Sequence, residues 1–581
     1  MNSLSRIILS LVMAGLYGIG LVSLARAQFS SAIEGTVSDQ SGAPVPGATI
    51  VVTNQATNVR YQGASTTSGS FRVPALPPGT YRIEVQSPGF EIWTQTDVVL
   101  EPNRIRTVNP GLKVGRQTTK VTVEATATAV ETAKSEASRT VGTTSISDAP
   151  ISQRNIYTGL AAIAPGITGT GTDLGNTATA TADNFGTEVD PDINAAGKRY
   201  ETNFYYIDGS PVNVVSMGGT AVIQPEPDTV SEMKITAVDF SADVGRGSGA
   251  IVQIFTKAGE NQFHGNLSEF HTDNALTSRT VFQTGNLPTT RRNEFGGSLG
   301  GPIIKNRTFF FGSLFFMRSS RVSTGVATVE TPQFASFVEN AFPNNIATTF
   351  FRQDPPKVYP TQGILTVGQL EAQSPGFFPA TAFPADLPAG GTTFVNNVIP
   401  RNGQQWHFRL DHNLHSDRDR IYLSSYNTTG TDAFDDPRPK NWLTTREVSW
   451  LPKLNWIHAI SPSLLNEASV TYLRTTGAFS NNLPNLPTAY VTGISTLGTW
   501  GGLPWAENDF NCMTHFLGCT GVITSEWAPT WTTRQTSTNL RTTISVPILF
   551  SPTCWTSPRT SPTIRAGPPS TRPRAGPPMT I

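Results

Sequence analysis

The chain has 581 residues, 42 Lys and Arg balanced by 42 Asp and Glu, and 14% charged residues, against about 25% in ordinary soluble domains. Hydrophobic residues make up 38% and the mean hydropathy is −0.18, so Thr, Ser, Asn and Gly fill the deficit in charge, which excludes a helical bundle or a polytopic helical transporter. Neutral balance supplies no electrostatic reason to bind nucleic acid, and 51 Gly with 43 Pro point to many turns between short strands.

At the amino terminus, Arg6 is followed by an uncharged run from Ile7 to Ala25, and Ala25-Arg26-Ala27 offers small residues at both recognition positions of a signal peptidase. Residues 1–27 are therefore expected to be a Sec-type export signal, with a retained anchor of the same length as the alternative. Residues 30–116 read as a β-sandwich: Tyr81, Ile83 and Val85 alternate with Arg82, Glu84 and Gln86, and Gly42-Ala43-Pro44 and Leu76-Pro77-Pro78-Gly79 form turns. Gly35-Thr36-Val37-Ser38-Asp39, Ala48-Thr49-Ile50, Pro78-Gly79-Thr80-Tyr81 and Pro88-Gly89-Phe90 resemble the carboxypeptidase regulatory-like, transthyretin-type domain. The resemblance implies a seven-strand sandwich without catalysis of its own; a plain spacer is the alternative.

Residues 117–146 are rich in Thr, Ala, Val and Ser and read as a linker. Within them Lys120-Val121-Thr122-Val123-Glu124-Ala125 is a short β-prone island, either the last strand of the sandwich or a segment able to add to another protein's sheet edge. Residues 147–257 mix helix and strand. Ser152 is placed to cap a helix carrying Ile156, Leu160 and Ile163 on one face and ending at Pro165-Gly166. Phe204 to Asp208-Gly209 is a strand entering a turn; Met233–Ile235 and Ile251–Phe255 are strands joined through Gly245-Arg246-Gly247-Ser248-Gly249.

From Phe263 the pattern changes to hairpins, with strands expected at 263–271, 293–300, 307–317, 404–412, 419–427, 447–460 and 464–474. On those bounds the connections are 21, 6, 86, 6, 19 and 3 residues, long and short in strict alternation. Trp406, Phe408 and Leu410 form an apolar face against His407, Arg409 and Asp411, and aromatics crowd Phe309–Phe311 and Phe315–Phe316. Short turns on one side, long loops on the other and two-faced strands are the marks of an outer-membrane barrel.

Four ordered segments make the resemblance specific: Asn194–Arg199 with Asn203-Phe204 and Ile207-Asp208-Gly209; Ser241-Ala242-Asp243 with Gly245–Gly249; Thr256–Gly265; and Gly297–Ile303 with Thr308–Phe311. They look like the TonB-dependent outer-membrane transporters that carry an amino-terminal carboxypeptidase regulatory-like domain. What that resemblance implies is a mainly β chain: the sandwich, a small α/β plug at 147–257 with Asp208, Gly209, Gly245, Arg246, Gly247 and Gly249 in its motifs, and an antiparallel transmembrane β-barrel, here partial, over 263–545. It also implies a TonB box ahead of the plug, for which Val121, Thr122 and Val123 stand in place. The implied partners are TonB, outer-membrane lipid and an unidentified small-molecule, glycan or peptide substrate, with no nucleic acid and no cofactor. An exported surface protein binding a carbohydrate or partner without transport is the alternative. The family's barrel has 22 strands, more than can be found here. After Glu526 come six arginines and a repeated Arg-Ala-Gly-Pro-Pro, so residues 546–581 read as an aberrant tail of a truncated or frame-shifted end.

No motif argues for an enzyme. Gly296–Gly300 fits G-x-S-x-G but lacks the strand–turn–helix setting, and Gly245–Gly249 precedes a strand instead of the helix a phosphate loop needs. Cys512, His515 and Cys519 leave three states open: a Cys512–Cys519 disulfide, free thiols, or a metal site lacking one ligand.

Overall fold

The computed structural model describes residues 31–545 apart from 102–103, 116–119, 124–136, 150–153, 161–163, 170–182, 188–189, 215–217, 239–246, 277, 279–288, 376–381, 415–417, 435, 441–442, 462–463, 482–503, 519–529 and 537–538. The export signal and the tail at 546–581 thus lie outside the described residues.

The sandwich consists of two facing sheets. Three strands, Ser70–Leu76, Ser31–Thr36 and Ile105–Thr107, form one; five, in the order Lys120–Val123, Ile92–Leu100, Gly79–Gln86, Thr49–Asn54 and Arg60–Ala64, form the other. The period-two alternation around Tyr81 is the reason: Tyr81, Ile83 and Val85 are fully buried against Ile33, Ile50, Val52 and Leu76. The fifth strand comes from the stretch expected to be linker.

A second five-stranded sheet follows, in the order Ala137–Gly142, Val230–Val238, Ile251–Thr256, Phe204–Ile207 and Ser210–Pro211. It carries the central apolar core, including Ile156, Tyr157, Tyr205, Met233, Ile235 and Ile254. The edge strand Ala137–Gly142 of this sheet comes from the stretch expected to be linker: it is six residues long, carries Ser and Thr, buries little and lacks an apolar period. The helix expected from Ser152 is observed as Ile156–Leu160; Ser152 and Ile163 lie outside the described residues.

The third region is an eleven-stranded antiparallel sheet. Ten strands pair in sequence: His264–Asp273, Thr290–Ile304, Thr308–Glu330, Pro388–Asn413, Asp419–Phe434, Leu443–Ser461, Leu464–Asn481, Trp505–Gly518, Thr530–Thr536 and Asn539–Ser545; Gln362–Thr366 adds to the side of Pro388–Asn413. All seven expected strands are present, and most run further than expected. The longest expected excursion is in consequence shorter, at residues 331–387, and it is folded. Helices Pro332–Ala341, Ile346–Gln353 and Val367–Gln373 bury Phe334, Phe350, Phe351 and Val367 together. Each helix starts on a capping side chain: Thr331, Asn345, and Thr366 in a capping box with Gln369. The fully buried Arg438 ties this subdomain to the sheet, donating to Glu330 and, at 2.8 Å, to the Asp354 carbonyl.

Burial along the sheet is inverted relative to a soluble protein. In the stretch 401–411 of Pro388–Asn413 the buried positions are Arg401, Gly403, Gln405, His407, Arg409 and Asp411, and the outward position Phe408 is 41% exposed. Leu267, Leu299, Leu314, Leu423, Leu454 and Val470 are also exposed. Water would favour the opposite arrangement by roughly 1.5–3 kcal/mol per large apolar side chain; an apolar surrounding outside and a polar filling inside is what the pattern demands.

Candidate functional site

The polar filling is the small α/β domain, and the surface it shares with the strands is built in tiers. At the tier nearest the long loops, the Asp183 carboxylate accepts two hydrogen bonds from Arg401, both 2.8 Å, and one from Arg292 at 3.1 Å; Arg401 also reaches Asp432 at 3.2 Å. Burial alone would raise the Asp183 carboxyl, but the two guanidiniums outweigh it and hold it well below the usual carboxylate range. Beside it, the fully buried Phe185 fills the space over two glycines: a Cβ at Gly403 would lie 2.4 Å from its ring, and one at Gly430 would lie 2.8 Å from its carbonyl oxygen. Phe315 and Met317 close the pocket, and Thr187 bonds Glu447.

One step towards the short turns, the Glu226 N–H donates to Gln405 at 2.7 Å and to the Tyr426 hydroxyl at 3.1 Å, while Gln405 donates to the carbonyls of Asn184 and Gln224 at 3.0 and 2.9 Å. Burial pushes the Glu226 carboxyl up to about 7, against the pull of the Arg154 guanidinium 2.9 Å away and with Glu294 and Asp228 adding to the rise.

The third tier holds Asp208 and Gly209. Both have positive φ, 47° and 81°, the requirement of a two-residue hairpin turn that Asp-Gly meets at least strain. The turn aims the Asp208 carboxylate at Thr256, accepting from its N–H at 2.9 Å and its hydroxyl at 2.6 Å. Arg409 approaches at 3.5 Å and is itself held by Asp411 at 2.8 and 3.0 Å; Lys453 donates to the Asp208 carbonyl, and Ser210 meets Thr471 at 3.0 Å.

Of the other residues singled out in the sequence, Gly247 and Gly249 leave room for a close approach: a Cβ would lie 2.7 Å from the Phe204 ring and 2.5 Å from Asn203 Oδ1 respectively. Gly245 and Arg246 lie outside the described residues. Val121, Thr122 and Val123 sit on the outer strand of the sandwich sheet, in parallel with Ile92–Leu100. Cys512 is within Trp505–Gly518; Cys519 is outside the described residues. Gly296–Gly300 runs through the middle of Thr290–Ile304, paired on both sides, which removes the nucleophile-elbow geometry. Sequence reading missed Asp183–Thr187, although Asp183-Asn184-Phe185-Gly186 carries a turn signal: the Phe185 N–H bonds the Asp183 carboxylate at 3.0 Å.

The family described as the outer membrane beta barrel domain matches residues 255–546, and the carboxypeptidase regulatory-like domain matches residues 32–113. Among curated proteins, the TonB-dependent transporter Oar of Myxococcus xanthus is 29% identical over 301 residues, 48% of this chain and 26% of that protein. Among solved structures, the outer membrane transporter YddB from Escherichia coli aligns with a TM-score of 0.44 and 12% identity over 68% of this chain and 48% of that one. The ferripyoverdine receptor of Pseudomonas aeruginosa aligns at 0.36 and 12% over 70% and 53%. The chain spans about a quarter of the length of that curated relative and about half of those structures.

Proposed function

The chain belongs to the outer-membrane β-barrel family, among the TonB-dependent transporters and receptors, and from that premise we propose that it takes part in energy-coupled uptake through a plugged barrel, with TonB as the periplasmic partner. The observation that carries the reading is the plug–wall surface. It is buried, and beside the apolar contacts of Phe185, Leu451 and Leu473 it carries the polar pairs Asp183–Arg401, Asp208–Arg409, Glu226–Gln405 and Ser210–Thr471. Polar groups that leave such contacts are re-satisfied by water, so a plug seated this way is released at less cost than one held by an apolar seal.

The short connections at 305–307, 414–418 and 462–463 mark the periplasmic end, and the folded 331–387 excursion faces outwards. In this reading Val121-Thr122-Val123 is the TonB contact, pairing as an added strand, and force applied there reaches the plug sheet at its edge strand Ala137–Gly142. The substrate is a small molecule, glycan or peptide admitted from the outer side. The test is binding of the purified TonB periplasmic domain to the detergent-solubilised chain with and without residues 120–125. Retention by the intact chain and loss on deletion is the expected result; equal retention by both would remove the coupling role from this segment.

A further inference from the structure

The sandwich is seated at the short-turn end of the strands, and its contacts there differ in kind from one side to the other. Towards the wall they are hydrogen bonds. The Ala56 carbonyl accepts from the Asn261 N–H at 3.1 Å, and the Tyr61 hydroxyl bonds Arg420, whose guanidinium also donates to Asp411 on the neighbouring strand at 3.0 Å. Asn261 lies in the connector from plug to strands, yet it is fixed to the wall: its side chain donates to the Asn306 side chain and accepts from the Asn306 N–H, both at 2.7 Å. Two residues earlier the connector runs so close to Thr308–Glu330 that a Cβ at Gly259 would lie 2.3 Å from the Phe310 carbonyl oxygen. At this point the connector belongs with the wall, and so does whatever holds to it.

Towards the plug the sandwich presents a carboxylate to a carboxylate. Glu232, on the plug strand Val230–Val238, faces Glu101, and the nearby Arg104 is engaged with Glu101 in an ion pair of 3.0 Å. Glu232 Oε2 is buried without a hydrogen-bond partner among the described residues, and burial, joined by the Glu101 charge, pushes its carboxyl up to about 8. To sit against the sandwich at neutral pH Glu232 has to take up a proton, which weakens the contact. We propose that the amino-terminal sandwich is a collar fixed to the barrel wall, and that the face between Glu101 and Glu232 is a parting line along which the plug leaves it. When the plug sheet shifts, the Ala56–Asn261 and Tyr61–Arg420 contacts persist and the sandwich stays behind at the exit as a stationary body. This goes beyond the uptake reading and does not depend on which segment TonB grips.

Distances between pairs of spin labels test the collar. The full chain, its three cysteines replaced by serine, is placed in lipid nanodiscs and labelled pairwise at the exposed positions Thr67 on the sandwich, Lys305 on the wall turn and Ser147 on the plug. Urea is raised until the Glu226 amide of the plug exchanges freely while the barrel strands stay protected. The 67–305 distance should keep its width while the 67–147 and 147–305 distances broaden together. A sharp 67–147 distance alongside a broadened 67–305 distance would overturn the proposal, because the sandwich would then travel with the plug. Broadening of all three, or of none, would overturn it as well. Two variants address the contacts one at a time. Glu232→Gln should move the broadening of 67–147 to higher urea; no movement would remove the parting line. Tyr61→Phe keeps the ring and loses the hydroxyl, so loss of the 67–305 distance should come at lower urea; an unchanged onset would remove the wall seat.

Discussion

The Asp183–Arg401 pair gives the plug–wall contact a number. The two side chains are 0% and 7% exposed, and Arg401 supplies both of the 2.8 Å bonds to the carboxylate, Arg292 only one at 3.1 Å. Arg401→Ala therefore removes two charged donors from a buried carboxylate that keeps Arg292 and the Phe185 N–H, and Asp183→Ala takes both 2.8 Å bonds from Arg401 and leaves it the longer contact with Asp432; breaking a buried pair from either side costs about 3–5 kcal/mol. With both replaced, no charge of the pair is left uncompensated, so the double variant should lose little more than either single one, a coupling of about 2–3 kcal/mol. The assay is native-state hydrogen exchange at the Glu226 amide, which bonds Gln405 on the wall and reports plug loosening without global unfolding. Each single variant should speed that exchange by roughly 10²- to 10⁴-fold. Strictly additive effects, with coupling below about 0.5 kcal/mol, would refute the ion pair and with it the claim that charged contacts seat the plug.

Two further outcomes follow from the same surface. Gly403→Ala places a Cβ 2.4 Å from the Phe185 ring, so it should unseat the 183–187 loop and increase protease cleavage there, while Phe185→Ala should cost about 3–5 kcal/mol of plug stability by leaving a cavity; tolerance of both would deny the pocket. Glu232, on the plug strand facing the sandwich, has its carboxyl raised by burial and by Glu101 to about 8, Arg104 opposing. A carboxyl raised in the folded state is stabilising while protonated, so thermal stability should fall as pH rises between about 4.5 and 8, and Glu232→Gln should flatten the profile; an unchanged slope would remove Glu232 as its source.

How much of this was legible depends on what each strand faces. The hairpins from Phe263 onwards were readable because their outer face meets an apolar surrounding, which writes period two into Trp406, Phe408 and Leu410. The same strands were expected to end near 317 and begin near 404. Beyond Arg318, which pairs with Asn402, the outward positions mix polar Ser320, Thr324, Thr328 and Asn396 with apolar Val326, Phe394 and Val398, and the inward ones include the buried Val329, Val395 and Ile399. With apolar residues on both faces, the period-two contrast that marks a strand in the sequence is lost. The helices within 331–387 had visible capping residues but sat in a stretch read only for strands. Asp183–Thr187 was hidden for another reason: its partners Arg401 and Glu447 lie more than 200 residues away, and a polar contact at that distance leaves no local period. Lys120–Val123 was legible as a β-prone island, and the structure gives it the sandwich-strand place that was one of its two readings, whereas Ala137–Gly142 is too short and too polar to stand out from a Thr/Ala/Ser-rich linker.

The inside-out arrangement of the strands is the central claim, and a nitroxide scan across positions 405–410 in lipid vesicles tests it most directly. Labels at 406, 408 and 410 should relax with oxygen dissolved in the bilayer, and labels at 405, 407 and 409 should be shielded from it. A uniform response along the strand, or high accessibility of 406, 408 and 410 to a water-soluble nickel reagent, would contradict the account.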